Sequence, residues 1–312
     1  MAEENSWERQ ALEHLLLENL KEQRRARRWR AVMRVMTLVA FVGVAINLFD
    51  FNLGSKASLG KHTALVDLQG EIAPDTRANA EAINGALNAA FESAESVGVI
   101  LRINSPGGSP VQSGIIHDEI LRLRAKYPQK PLHVVVEEIC ASGGYYVAVA
   151  ADQIYVDKAS LVGSVGVIMS GFGVTGLMDK LGVERRLITA GKNKALLDPF
   201  TKEDKKQKEF VQEMLGEVHQ QFIQVVRDGR GKRLKETPDM FSGLVWNGAR
   251  SIDLGLTDSL GTVDSVARDV FKAPDVVDYT VKENLAERVA KRFGAAMGEG
   301  ATRVFMQAGQ IR

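Results

Sequence analysis

The tightest constraint in this chain is a strand that must turn into a helix through glycine. The β-branched run 132–136 leads into 139–152, ICASGGYYVAVAAD, which passes through Ala141-Ser142-Gly143-Gly144 into small residues suited to a helix. Such a junction commits the chain to laying a helix directly on a sheet. The paired glycines let another backbone come close, and the first N–H groups of the helix face whatever sits in front of Ser142. A hydroxyl in that place suits a nucleophile whose attack creates a negative oxygen. The same residues also suit a plain N-cap serine with glycines for tight packing, so the rest of the chain has to decide between the two.

The pattern of strand followed by helix recurs. Residues 63–68, 97–103, 132–136, 153–156, 166–169, 184–189 and 276–280 read as strands, and 75–96, 111–127, 175–181 and 246–260 as helices. A long helix opens at Thr201, its expected cap, with Phe210, Met214, Leu215, Val218, Phe222 and Val225 as its apolar stripe. This alternation predicts an α/β fold with mainly parallel strands. A net charge of +1 argues against a dedicated nucleic-acid binder. Cys140 is the sole cysteine, so the chain forms no internal disulfide. Its place two residues before Ser142 invites a nucleophile reading, against that of a small core residue.

The N-terminal region has a different character. Residues 21–34 hold seven basic residues and one acidic one, and 35–49, VMTLVAFVGVAINLF, is apolar apart from Thr37 and Asn47. With 31–33 and a snorkelling Arg34 this matches a minimal membrane span. No small-x-small cleavage site closes it, which favours an uncleaved anchor over a signal peptide. The basic flank puts 1–30 in the cytoplasm and everything after Asp50 across the membrane. The plan is therefore a cytoplasmic segment 1–30, an anchor 31–49 in the lipid bilayer, a linker 50–62, an α/β domain 63–282 and a basic tail 283–312.

A second place concentrates chemistry. Asn104-Ser105-Pro106-Gly107-Gly108 ends a predicted strand, where open α/β sheets bind ligands. Pro106 preorganises the turn, and the glycines let an N–H point outward with no side chain in the way. Alone this is a turn; beside a nucleophile it makes an oxyanion hole. A serine also needs a base. Of the five histidines, at 14, 62, 117, 133 and 219, none sits on a loop beside an acid in a recognisable pattern. A desolvated lysine can do the same work, and Lys194, between a glycine turn and Ala195-Leu196-Leu197, suits it. The sequence holds neither a phosphate loop nor a metal-ligand cluster.

Taken in order, 98–108 (GVILRINSPGG), 141–152 (ASGGYYVAVAAD), 161–168 (LVGSVGVI), 182–198 and 244–258 resemble the signal peptide peptidase A family. Its members are membrane-anchored serine/lysine proteases with a Clp-protease/crotonase-like fold. The resemblance covers roughly 63–271. It implies Ser142 as nucleophile, Lys194 as general base, and Ser164, in Gly163-Ser164-Val165-Gly166, as the hydroxyl that positions the lysine. It implies oxyanion donors from Gly107 or Gly108, with the N–H of Gly143 beside them, and no cofactor or metal. The base motif departs from the family's pattern: Lys192-Asn193 precedes Lys194 and Ala195 follows, which leaves Lys192 as a competing assignment. One copy of the domain resembles the short form, which implies a homo-oligomeric ring, an octamer, with each dyad straddling a subunit interface. Expected substrates are cleaved signal peptides and other short or unfolded polypeptides, with Tyr145 and Val147 lining their pockets and the cationic tail able to occupy the site. The expected location is the inner membrane, with the catalytic domain on the periplasmic side. Three rivals stand beside this reading: a crotonase-type acyl-CoA enzyme, a catalytically silent membrane scaffold, and a Ser-His-Asp protease, which has no histidine between Ser142 and His219 to draw on.

Overall fold

The computed structural model describes residues 23–25, 27–41 and 60–281. The chain divides into two units, Met1–Ala57 with Glu283–Arg312, and Ser58–Lys282. In the first, 27–41 form a helix, α1, whose side chains are exposed. Among the described residues no helix is long and apolar enough to cross a membrane. The expected anchor is described only as far as residue 41; its remainder, most of the linker, residues 1–22 and the tail 283–312 lie outside the described residues.

The second unit is built on a mixed α/β sheet of eight strands. Its central order is β6-β5-β3-β2-β1-β8, and β4 pairs with β3 and with β7. These strands are β1 (His62–Gln69), β2 (Ser96–Ser105), β3 (Leu132–Ala141), β4 (Gln153–Val156), β5 (Leu161–Gly163), β6 (Val245–Asn247), β7 (Ser259–Leu260) and β8 (Val276–Asp278). All pairs are parallel except β5 with β6. β1, β2 and β3 are buried along most of their length, with apolar cores such as Val99–Leu101 and Val134–Val136, because both faces are covered. One shared row is Leu65, Ile100 and His133, the next Val66, Leu101 and Val134.

Helices α2 (Ala80–Glu92) and α3 (Pro110–Lys126) follow β1 and β2. Ile83, Ala86, Leu87, Ala90 and Phe91 of α2 are buried at helical spacing, which makes one stripe of core. Asn79 caps α2 by accepting the Ala82 N–H at 2.8 Å, and Lys130 Nζ donates to the carbonyls of Phe91 and Ser93 at its end. Ser109 caps α3, with Pro110 in the first turn, where a missing N–H costs nothing.

Strand β3 pairs with β2 along one edge and divides its other edge between two neighbours. His133–Val135 pair with β4, and further along Ile139–Ala141 pair with β5. The strand thus runs well past the apolar segment that announces it, because β5 gives Glu137-Glu138-Ile139-Cys140-Ala141 a reason to stay extended.

Several sequence expectations are corrected. The strands expected at 166–169 and 184–189 do not form. Both fall on an arm between β5 and the next long helix, where Ile168 is 87% and Ile188 97% exposed and no neighbouring strand offers a ladder. Only α5 (Thr175–Leu181) breaks that arm. The long helix α6 (Lys205–Arg230) is capped by Asp204, whose carboxylate accepts the Gln207 N–H, and not by Thr201. Its C-terminal half buries Phe222, Ile223 and Val226, whereas Phe210 is 59% exposed. The helix expected over 246–260 shrinks to α7 (Gly248–Asp253), because β6 takes its start and β7 its end.

Candidate active site

Ser142 stands between β3 and α4 (Gly143–Ala148) with φ 51 and ψ −124. Its N–H donates to the Gly163 carbonyl at 2.9 Å, and its own carbonyl accepts the Tyr146 N–H at 2.9 Å. The side chain makes no capping hydrogen bond. A serine kept only as an N-cap would spend its hydroxyl on the second or third helical amide from ordinary extended backbone. Here the backbone sits where an L-residue costs about 1–2 kcal/mol, and Oγ is left uncommitted. The cap geometry is absent, and the hydroxyl is left without a capping role.

The Pro106-Gly107-Gly108 loop lies against this turn. A Cβ on Gly107, which has φ 103, would stand 2.7 Å from both the Gly143 nitrogen and Ser142 Cβ. The loop is held from behind by Ile72: the Ile72 N–H donates to the Gly107 carbonyl at 2.8 Å, and the Ser109 N–H to the Ile72 carbonyl at 2.7 Å. Gly107's own N–H donates to Ser105 Oγ at 3.1 Å, so it is not free for a ligand. Among the described residues the N–H groups of Gly108 and Gly143 have no hydrogen-bond acceptor, and they lie side by side, since a Cβ on Gly143 would be 3.3 Å from the Gly108 nitrogen. Ser113, buried and without a hydrogen-bond partner for its Oγ, fills the space where that Cβ would go. Of the three expected donors, the structure frees two.

Ser164 joins the cluster through sheet register. Ala141 pairs with Gly163, so Ser142 and Ser164 are the next residues on adjacent strands. Ser164 has φ 54, is half-buried and donates its N–H to the Leu244 carbonyl at 2.7 Å. His219 Nε2 lies 3.2 Å from the Val165 carbonyl, one residue on.

Lys194 is on the exposed arm, in a turn closed by its N–H on the Gly191 carbonyl at 3.2 Å. No hydrogen bond joins its amine to Ser142 or Ser164, and Lys192 is equally exposed. Within one chain, then, Ser142, Ser164, Gly107, Gly108 and Gly143 come together and the lysine does not.

Other expectations change. Tyr145 and Val147 present no surface to a substrate: both are fully buried, and the Tyr145 hydroxyl donates to the Leu256 carbonyl at 2.7 Å. Cys140 is fully buried, which pushes its thiol up and makes it a poor nucleophile. His62 is bonded to Tyr279, His117 to Asp118, and His133 is packed between Tyr155 and Phe271. None reaches Ser142. Among the described residues no cluster of His, Cys, Asp or Glu is set to hold a metal.

Sequence reasoning missed the buttress behind α4. Arg230, 1% exposed, donates to both carboxylate oxygens of Asp258 at 2.7 and 3.0 Å and to the Gly255 carbonyl at 2.8 Å. Burial works to raise the Asp258 carboxyl, but the hydrogen bond and charge of Arg230, the Ile154 N–H and Arg233 together hold it below the usual carboxylate range. The 255–258 loop so fixed presents the Leu256 carbonyl to Tyr145, three residues after Ser142. Only the pairing of a helix-terminal arginine with a distant aspartate would have announced it, and sequence does not show which pair.

Comparison with known proteins gives one family: residues 124–276 match the model of peptidase family S49. That range contains Ser142, Ser164 and Lys194 but not the Pro106-Gly107-Gly108 loop. A putative protease of Synechocystis sp. is 30% identical over 209 residues, 66% of this chain and 72% of that protein. A putative signal peptide peptidase of Enterococcus faecium is 30% identical over 186 residues, 60% of this chain and 54% of that one. A Na(+)/H(+) antiporter NhaA of Brucella melitensis biotype 1 is 44% identical over 187 residues, 60% of this chain but 25% of that protein. The chain thus spans about a quarter to a half of these last two relatives.

Proposed function

Because the chain belongs to peptidase family S49, we propose that it is a membrane-anchored serine endopeptidase with a Ser142/Lys194 dyad on a Clp-protease/crotonase-like fold. The observation that carries this reading is Ser142 at positive φ with an uncommitted hydroxyl, set against the two unbonded N–H groups of Gly108 and Gly143.

In the reaction, the neutral amine of Lys194 takes the Ser142 proton as Oγ attacks a peptide carbonyl. The Gly108 and Gly143 N–H groups hold the oxyanion, and each such donor is worth about 100- to 1000-fold in rate. The lysinium then protonates the leaving amine, and water activated by the same amine hydrolyses the acyl-enzyme. Ser164, one residue past the Gly163 carbonyl that holds Ser142, hydrogen-bonds the amine in place.

Lys194 comes to this site from a neighbouring copy. The arm that carries it exposes Ile168, Phe172 and Ile188, and leaves a cleft of about 780 Å³ against α6, lined in part by Phe172, Leu197, Val211 and Leu215. Packing in a ring of subunits, read as an octamer, covers this surface. Cleaved signal peptides and other short or unfolded chains are the substrates. Residues 31–49 hold the enzyme in the inner membrane, with its catalytic domain on the periplasmic side.

The test is to purify the full chain in detergent and assay it on an unfolded protein and on signal-peptide-like fluorogenic peptides, beside Ser142→Ala, Lys194→Ala and Lys192→Ala. Loss in the first two alone establishes the dyad. Loss with Lys192→Ala in place of Lys194→Ala moves the base by two residues. Equal cleavage by Ser142→Ala and the parent, or none by either, removes the peptidase reading and leaves the scaffold.

A further inference from the structure

We propose that Ser105 is a positioning residue for the oxyanion loop: its buried hydroxyl takes the Gly107 N–H and so leaves Gly108 as the loop's donor. The inference rests on the peptidase reading above and names a residue which that reading does not use.

Ser105 is the last residue of β2, fully buried and paired with Cys140 of β3 across an irregularity in the register. A hydroxyl so placed needs a partner, and it finds one two residues ahead, in the local manner typical of serine. The same side chain underlies the nucleophile's helix. A Cβ on Gly144 would be 3.3 Å from Ser105 Cβ and 3.1 Å from the Ser105 carbonyl oxygen. Ser105 is therefore wedged between the loop it holds and the first turn after Ser142.

Peptide planarity turns that bond into an aim. The carbonyl of Gly107 and the N–H of Gly108 belong to one trans peptide unit and point in opposite directions. With the carbonyl held by the Ile72 N–H at 2.8 Å, the Gly108 N–H faces away from Ile72, on the side where Gly143 lies. That aim holds only while the preceding peptide is fixed as well. Gly107 at φ 103 and Gly108 at φ 146 have no Cβ to resist rotation. Ser105 is the one side chain, among the described residues, that hydrogen-bonds the backbone of 106–108. Without it, the buried Gly107 N–H must turn to find another acceptor, and Gly108 turns with it.

The experiment compares the full chain in detergent with Ser105→Ala and Ser105→Cys, which keeps the size of the side chain but is a weaker acceptor. Three quantities are read: kcat and KM on a fluorogenic peptide, affinity for a peptide aldehyde, and the melting temperature. The aldehyde adds Ser142 Oγ across its carbonyl and places the resulting oxygen in the hole, so it reports on donor placement. The expected result is a kcat about 10- to 100-fold lower in Ser105→Ala with KM within about threefold. Aldehyde affinity falls in step with kcat, Ser105→Cys is intermediate in both, and melting is little changed. A Ser105→Ala chain that matches an active parent in kcat and aldehyde affinity overturns the inference, as does a loss that follows melting alone. A parent with no Ser142-dependent turnover overturns the peptidase reading itself, and this inference with it.

Discussion

Ser142 and Ser164 leave adjacent strands in step: the N–H of Ser142 ends on the carbonyl of Gly163, and both serines take positive φ, 51 and 54. Two strained non-glycine residues at one end of one strand pair signal a shared task. If Ser164 positions the lysine, Ser164→Ala should lower kcat about 10- to 100-fold with little change in KM. Labelling of Ser142 by a fluorophosphonate should slow in parallel, and equal labelling rates would remove Ser164 from the site.

His219 provides a way to separate a lysine base from a histidine base. Its Nε2 is spent on the Val165 carbonyl. His219→Gln keeps a donor there and should retain activity within about threefold, with the shape of the pH–rate profile unchanged, because a general base contributes about 100-fold or more. A drop of that size would favour a Ser-His enzyme.

Gly143 should tolerate no side chain. A Cβ there runs into Ser113 Oγ and approaches the Gly108 nitrogen to 3.3 Å. Gly143→Ala should therefore abolish turnover, even in preparations whose circular dichroism matches the parent. Ser113→Ala is the control, since its hydroxyl has no partner to lose. Its stability in urea should lie within about 1 kcal/mol of the parent.

The Arg230–Asp258 pair should dominate the stability of the α4 side. Removing one partner of a buried pair costs about 3–5 kcal/mol, so Arg230→Leu should lower the urea midpoint sharply. Tyr145→Phe should cost only about 1 kcal/mol, the net worth of one hydrogen bond. Asp258 is held below its ordinary value, so its contribution is complete above about pH 4 and fades as pH falls through the lower folded value. Asp258→Asn should remove that part of the acid limb in a urea-unfolding series.

His133 acts on a different stretch of the pH scale. Burial lowers its folded value below the ordinary histidine value of about 6.5. The unfolded chain therefore binds its proton first, and stability declines as pH drops from about 6.5 through the folded value. His133→Gln should flatten that decline in unfolding curves taken between about pH 7 and 5. An unchanged slope would mean that the ring stays neutral at no cost.

The parts of the site legible in sequence were those that glycine marks. Gly107, Gly108 and Gly143 leave no room for a Cβ and Gly144 leaves little, so the glycines in the sequence marked the two turns. The strands β1 to β3 were legible for a related reason, since burial on both faces leaves short apolar runs such as Val99–Leu101 and Val134–Val136. What failed were the arm and the buttress. Residues 166–169 and 184–189 carry strand-like side chains but lack a neighbour to pair with, and local pattern does not reveal a missing neighbour. Ser105 was invisible as well, because a serine in a turn is ordinary until its hydroxyl is seen to end on Gly107.

The division of β3 between β4 and β5 has a mechanical consequence. One edge of β3 is bonded to β2, and the other is clamped at two separate stations. Sliding by one residue would break both clamps together and turn every buried side chain to the wrong face. Ser142 lies immediately beyond the second clamp, so its position is indexed to the sheet as a whole. Exchange of its amide proton should then proceed only through openings that approach global unfolding, which makes the nucleophile's seat one of the last parts of the domain to loosen.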